Sequence, residues 1–417
     1  MDRTRRILLI IGLIVVVVGV TALIYFFFFK SETPALTPVG PGVSITPGGL
    51  PQIGGATGEP TSQTEAGRLQ GVVRQPAAGT KPAAIANGAL TDIQAVTNNS
   101  VVEPQLNSAG QLVYYDKGSN YFYRLTAKGA ERLSDQAFYG ATKITWSSSG
   151  DKAVIYYPDD SKIIYDFNKQ QQYSVPKVFS EIQFAKDGDH LAAKQITKDP
   201  NQNWLVVFSP DGKIMKGVER LGEYGSRVTV NWSADNQVVA FLQEGRGASG
   251  AEIFPVGQNK ENFASFMVPG FGFESLWAPS GNTFLFSSSL AENGFRPNLY
   301  IGRGLADNPG SSQTDLGLQT TPDKCTFNAV GDVAYCAVPE NLPAVSGPFP
   351  QLAKGLQHDF YRIDLNSGQI RLLGQPFFTI EGTPQSVDVG RVLISPDESE
   401  LYFTNQSTGR IYKMRLR

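Results

Sequence analysis

A short signature recurs seven times between residues 104 and 400: a bulky apolar residue, a small polar run, a turn, then an alternating apolar strand. The copies are Leu106-Asn-Ser-Ala-Gly110, Trp146-Ser-Ser-Ser-Gly150, Phe184-Ala-Lys-Asp-Gly188, Trp232-Ser-Ala-Asp-Asn236, Trp277-Ala-Pro-Ser-Gly281, Phe327-Asn-Ala-Val-Gly331 and Ile394-Ser-Pro-Asp-Glu398. Self-similarity with a period of about 40 residues marks units that cannot bury their apolar faces alone and must stack or close into a ring. Helix-period patterns are scarce after residue 30, while Gly, Tyr and Phe are plentiful, as short strands joined by turns require. The expected body is all-β.

Each signature fits the start of a four-stranded unit. In the second copy, Lys143 to Trp146 reads as an inner strand and Ser147 to Gly150 as a hairpin turn. Ala153 to Tyr157, Lys162 to Phe167 and Gln171 to Val175 follow as three further strands. Phe208-Ser-Pro-Asp-Gly212 falls out of step with the other copies and reads as the turn between the outer strands of the third unit. The pattern resembles the TolB-like, WD-repeat-like propeller family, whose blades open on a Trp-Ser-Pro-Asp-Gly-type motif. No copy here matches that motif in full. The resemblance spans residues 88–417 and implies a seven-bladed β-propeller, with six or eight blades as alternatives. It implies no particular activity, because prolyl-oligopeptidase-type enzymes and non-catalytic scaffolds share such blades.

Closure supplies an internal test. The seventh copy contributes strands at Val392 to Ile394, Glu400 to Thr404 and Arg410 to Met414, one short of a full unit. Residues 89–96 resemble the stretch Arg132 to Phe138 that precedes the second signature. They are therefore expected to supply the missing outer strand and cover an open edge. Cys325 and Cys336 flank the hairpin turn of the sixth unit, where opposed strand residues come close enough for a disulfide. Two small buried thiols are the alternative.

Upstream of this body the chain changes character. Residues 7–29 are 23 consecutive uncharged positions, enough at about 1.5 Å per residue to span a lipid bilayer. Arg3, Arg5 and Arg6 precede them, so residues 1–6 are expected in the cytoplasm and everything after Lys30 outside. A cleaved signal would have a shorter apolar run and a small-residue cleavage site. An uncleaved single-pass anchor in the cell membrane is the reading adopted. Residues 30–87 are rich in Pro, Gly, Thr, Ala and Ser and read as a disordered tether, about 40 Å from end to end as a flexible coil.

Function is less legible. The formal net charge is −2 with no basic tract beyond the first six residues, which argues against nucleic acid as a partner. There is no Gly-x-Ser-x-Gly elbow, no Cys-x-x-Cys and no His-Glu-x-x-His, and the two histidines are His190 and His358. No catalytic residue, metal or cofactor is expected. Trp146, Trp232 and Trp277 share one blade position with Leu106, Phe184, Phe327 and Ile394, and so read as packing residues.

Loop length carries the one functional clue. The excursions Gln195–Asn203, Gln243–Gly250, Ser287–Pro297 and Pro339–Gln357 of blades three to six exceed the equivalents in blades one, two and seven. Equivalent loops emerge on one face, so they are expected to form a one-sided rim. Arg246, Phe295, Arg296, Phe349 and His358 are the candidate contacts, aromatics and Arg being the residues that dominate interfaces. The expected function is a non-catalytic binding or scaffold module for a protein or cell-envelope polymer. The alternative is an exported metal-dependent hydrolase or lactonase, which would need a convergent set of acidic or amide side chains at one channel mouth.

Overall fold

The computed structural model describes residues 81–417, apart from 248, 249, 262 and 305–307. The expected anchor, residues 7–29, and the expected tether up to residue 80 lie outside them. Among the described residues no helix is long and apolar enough to cross a membrane.

Seven antiparallel sheets carry the fold, and each begins on one signature. The inner strands are Val101–Leu106, Lys143–Trp146, Phe179–Phe184, Val228–Val230, Phe271–Trp277, Cys325–Phe327 and Val389–Ile394. Each pairs outward with the next strands in sequence, giving blades of four strands. The signature itself makes the first hairpin turn. In blade two the Ser147 hydroxyl donates to the Lys152 carbonyl and Gly150 N–H donates to Ser147 O. In blade six Asn328 replaces the serine, and its Oδ1 accepts from the backbone N–H of Gly331, Asp332 and Val333. Gly212 N–H likewise closes on Ser209 O between the third strand Trp204–Phe208 and the fourth strand Met215–Arg220, so the out-of-step motif is an outer turn.

The core is distributed rather than central. Seven apolar clusters occupy the seven junctions between neighbouring blades. Strands that alternate inward and outward residues present an apolar face to each neighbour, and stacking buries both. Phe284 and Phe286 between blades four and five, and Phe360 and Phe403 between six and seven, are almost wholly buried. Burial of each such ring contributes about 1.5–3 kcal/mol. Trp146 and Trp232 belong to the junction clusters, as their blade position implies.

Closure follows the expected principle with a different division of labour. Only Gln94–Ala95 pairs with the third strand of blade seven, Arg410–Arg415. Leu90–Asp92 instead lies parallel to Ile370–Phe377 and becomes a fifth strand of blade six. The segment 89–96 therefore straddles two blades rather than completing one. Ile93 sits at the crossing, buried in the cluster between blades six and seven. Pairing begins upstream at Ala83, which bridges to Thr91. On the turn face Gly110, at φ +73°, abuts Pro396 of blade seven so closely that an added Cβ would fall 2.3 Å from the proline ring.

Cys325 and Cys336 are directly opposed across the first two strands of blade six and form a disulfide, S–S 2.07 Å.

Candidate functional site

Hairpin turns between first and second strands leave one face, and links between second and third strands leave the other. On that second face blades five and six carry the links 290–296 and 340–357, and blade three the link 196–203. Blade four departs from expectation. Its second strand, Val238–Gly245, runs further than its neighbours, and only 246–250 remains as loop. The expected excursion is shortened at its start, because Gln243, Glu244 and Gly245 pair with Ile253, Glu252 and Ala251.

The two long links of blades five and six are joined into one cap. Val345 N–H donates to Gly294 O at 2.7 Å, and Gly347 N–H to Phe295 O at 2.9 Å. Arg296 ties both together, its Nε donating to Leu342 O at 2.6 Å and Nη1 to Asn293 O at 2.8 Å. Phe295, Asn341 and Val345 all hold positive φ, at 56°, 50° and 57°. For a β-branched residue such as Val345 this conformation is costly and persists only where neighbours enforce it. Ser346 Oγ and Asn293 Oδ1 are buried in the cap without a hydrogen-bond partner among the described residues. Strain and unsatisfied groups together mark a segment shaped for something other than stability.

The sequence-derived contact residues fall in different settings. Phe349 is open, and Phe295 is half-buried with its ring 6.4 Å from that of Phe271. Arg296 is half-buried and engaged as the strut just described. Arg246 lies in the blade-four hairpin, its Nε donating to Glu252 at 2.8 Å. His358 is fully buried at the base of the cap. The structure thus brings Phe295, Arg296 and Phe349 together on the cap.

His358 latches the cap to the link between blades six and seven. Its Nδ1 lies 3.0 Å from Leu356 O, 3.2 Å from Val389 N and 4.0 Å from Asp388 Oδ1, while Nε2 has no partner among the described residues. Burial and the nearby Lys324 ammonium hold its pKa well below the usual histidine value. Asp388 accepts from Gly355 N–H at 2.8 Å, and burial raises its pKa.

Beside the cap opens the central channel, a cavity of about 700 Å³ lined by the inner strands of all seven blades. All seven signature apolar residues, Leu106 to Ile394, reach its wall as well as the blade junctions. Three positions before each signature residue lie Glu103, Lys143, Glu181, Thr229, Glu274, Lys324 and Arg391, and all but Glu274 and Lys324 line the cavity. Six of these seven are charged, a periodicity readable in the sequence that the turn-centred reading passes over. Bulges in blades one and three place Glu103 and Glu181 in left-handed conformations, φ 39° and 49°. A bulge re-aims a side chain, and both glutamates line the cavity.

Three of these six charged residues form ion pairs. Arg391 lies 3.5 Å from Glu103 and donates to Gln105 at 3.0 Å. Glu181 meets the buried Lys194 at 2.5 Å. Blade six differs, because the 3₁₀ turn Pro322–Lys324 swings Lys324 aside to donate to Val389 O at 2.5 Å. Burial lowers the Lys324 pKa. Asp323 takes its place on the channel wall. Glu274 is exposed but stands close against protein, and the desolvation this causes, followed by the charge of Asp323, raises its pKa. Neither Glu274 nor Asp323 has a hydrogen-bonding or ion-pairing partner among the described residues. Glu274 and Asp323 thus form an acidic pair between blades five and six, with Lys324 nearby, while Lys143 of blade two lies over the Tyr156 ring. Among the described residues no three His, Cys, Asp or Glu side chains converge as a metal site.

No family model matches the chain, and no curated protein matches it. Solved structures do resemble it. The β-propeller domain of Myceliophteria thermophila Cps50 (Swd1) aligns with TM-score 0.52 and 13% identity, covering 78% of this chain and 100% of that one. Kuenenia stuttgartiensis hydrazine synthase aligns at 0.49 and 13%, covering 76% and 96%. An oligogalacturonate lyase in complex with manganese aligns at 0.48 and 11%, covering 76% and 89%. At these identities the likeness is one of fold alone.

Proposed function

We propose that this chain is a membrane-tethered, extracytoplasmic propeller that binds a protein or envelope polymer, without catalysis, through the face carrying the cap. The cap is the observation that supports this reading. Two loops from adjacent blades are interlocked at the cost of strained backbone and unsatisfied polar atoms, and they display apolar side chains to solvent. Large exposed apolar residues gather on this face: Tyr139, Tyr224, Phe271, Phe349, Leu352 and Ile380. A rigid ring presenting such loops on one side is a recognition surface. The chain enters the ring along the outer strands of blades six and seven, so residues 81–96 cover neither mouth of the channel.

The hydrolase alternative has the acidic mouth in its favour and no assembled set of catalytic groups. To test the binding reading, links 290–296 and 340–357 would each be replaced by the five-residue link of blade two, 157–161, and partners crosslinked in intact cells. Loss of captured partners with an unchanged melting temperature is expected. Undiminished capture would overturn the assignment of this face.

A further inference from the structure

We infer that the cap face receives a protein segment in which an apolar side chain is followed closely by a lysine or arginine, the cation entering the channel mouth between Glu274 and Asp323. This rests on the binding reading above and narrows it from any polymer to a cationic polypeptide. The surface is continuous. Phe271 opens the inner strand of blade five that carries Glu274, and the 3₁₀ turn bearing Asp323 packs against that strand. The Phe271 ring faces Phe295, and Phe295 is hydrogen-bonded to the loop that presents Val345 and Phe349. Phe271 is 46% exposed, Phe349 51% and Leu352 42%, unusual values for side chains of this size in a folded body.

Charge complementarity selects the occupant. Around the mouth Glu103 is answered by Arg391, and Glu181 by Lys194. The two carboxylates of blades five and six make no ion pair among the described residues; Lys324 feels the charge of Asp323 but donates to Val389 O, so one positive charge stands near two negative ones. An anionic glycopolymer would meet like charge there, which costs several kcal/mol in a confined site. A cationic side chain would instead supply the missing partner, and an arginine could also stack on the open Phe271 ring. The aromatic shelf beside the carboxylates gives an apolar neighbour its seat. An isolated divalent ion finds no third ligand among the described residues.

The test uses the full chain in detergent micelles and four pools of synthetic octapeptides with random flanks. Their central pairs are fixed as Phe-Lys, Phe-Gln, Phe-Glu and Gly-Lys. The Phe-Lys pool should bind about 10-fold more tightly than Phe-Glu, with the gap closing between about 0.1 and 1 M salt. The E274Q/D323N double variant should bring Phe-Lys down to the Phe-Gln level. F271A/F349A should weaken all three Phe pools and leave the Lys-to-Glu ratio unchanged. Both variants alter water-exposed side chains, so melting temperatures should match the parent. Equal binding of Phe-Lys and Phe-Glu, a ratio indifferent to E274Q/D323N, tighter binding of a polyuronate, or no binding by any pool would each overturn this inference. The binding reading would survive any of these so long as the loop replacement still abolished capture in cells.

Discussion

His358 is buried with one ring nitrogen unpartnered among the described residues, and its cost depends on pH. Its pKa is held below the unfolded value, so the stability it contributes is present above about pH 6.5 and is lost as pH falls toward the folded pKa. The unfolded chain takes up the proton first. Unfolding free energy should therefore drop by up to about 1.4 kcal/mol per pH unit below pH 6.5, and H358L should flatten that slope. Asp388, with a raised pKa, acts in the other direction: its contribution is present at low pH and is lost as pH rises through its folded value. D388N should therefore leave the His358 slope more visible; denaturant melts between pH 4 and 7 would check both, on an interval of about three pH units. The disulfide offers a second residue-scale test. Cys325 and Cys336 are 11 positions apart, and closing so short a loop is worth about 3 kcal/mol. C325S/C336S should melt several degrees lower by calorimetry, and a reductant should have no further effect on it.

At the scale of elements the cap is the feature to probe, and Arg296 is its strut. Removing the guanidinium frees two carbonyls, Leu342 O and Asn293 O, at a local cost of about 1–2 kcal/mol. R296A should speed amide hydrogen exchange across 340–349 and reduce partner capture while the global melting temperature stays nearly constant. A parallel fall in protection throughout the ring would contradict this local role. The residue was legible as noteworthy from the sequence, as an Arg beside a Phe in a long loop. Its duty was not, because one of the two carbonyls it binds, Leu342 O, lies in another blade, 46 positions away. Blade four shows the converse. Its excursion looks like loop in the sequence because Gly245, Gly247 and Gly250 punctuate it, yet cross-strand pairing extends the hairpin through Gly245.

The whole molecule depends on how the ring shuts. The junction between blades seven and one has the smallest apolar cluster: Val101, Leu112, Tyr114, Leu393 and Ile411 are its buried members. Backbone bonds compensate, with Val96 N–H donating to Ile411 O at 2.8 Å and Ile411 N–H to Thr97 Oγ1 at 3.0 Å. Deleting residues 81–96 would strip the outer edge from blade seven and the fifth strand from blade six together. The melting temperature should fall by at least about 5 °C, and the bared edges should promote self-association on gel filtration. A truncated chain that melts with the parent would contradict this account of closure.

Local chemistry, written in the sequence, determined much of this protein. The signature turns, the alternation of each strand and the period of the repeat depend on neighbours within a few residues, so the blade repeat, the strand order within a blade and the opposed cysteines could be read from it, with seven blades expected and six or eight left open. The charged positions three before each signature were equally present in the chain. Only the ring gave them meaning, by converging seven inner strands on one channel and setting Glu274 beside Asp323 of the next blade. Closure across two blades, the interlocked cap and the burial of His358 were likewise decided by tertiary structure. Each joins segments distant in sequence, and no local propensity encodes the distance between them.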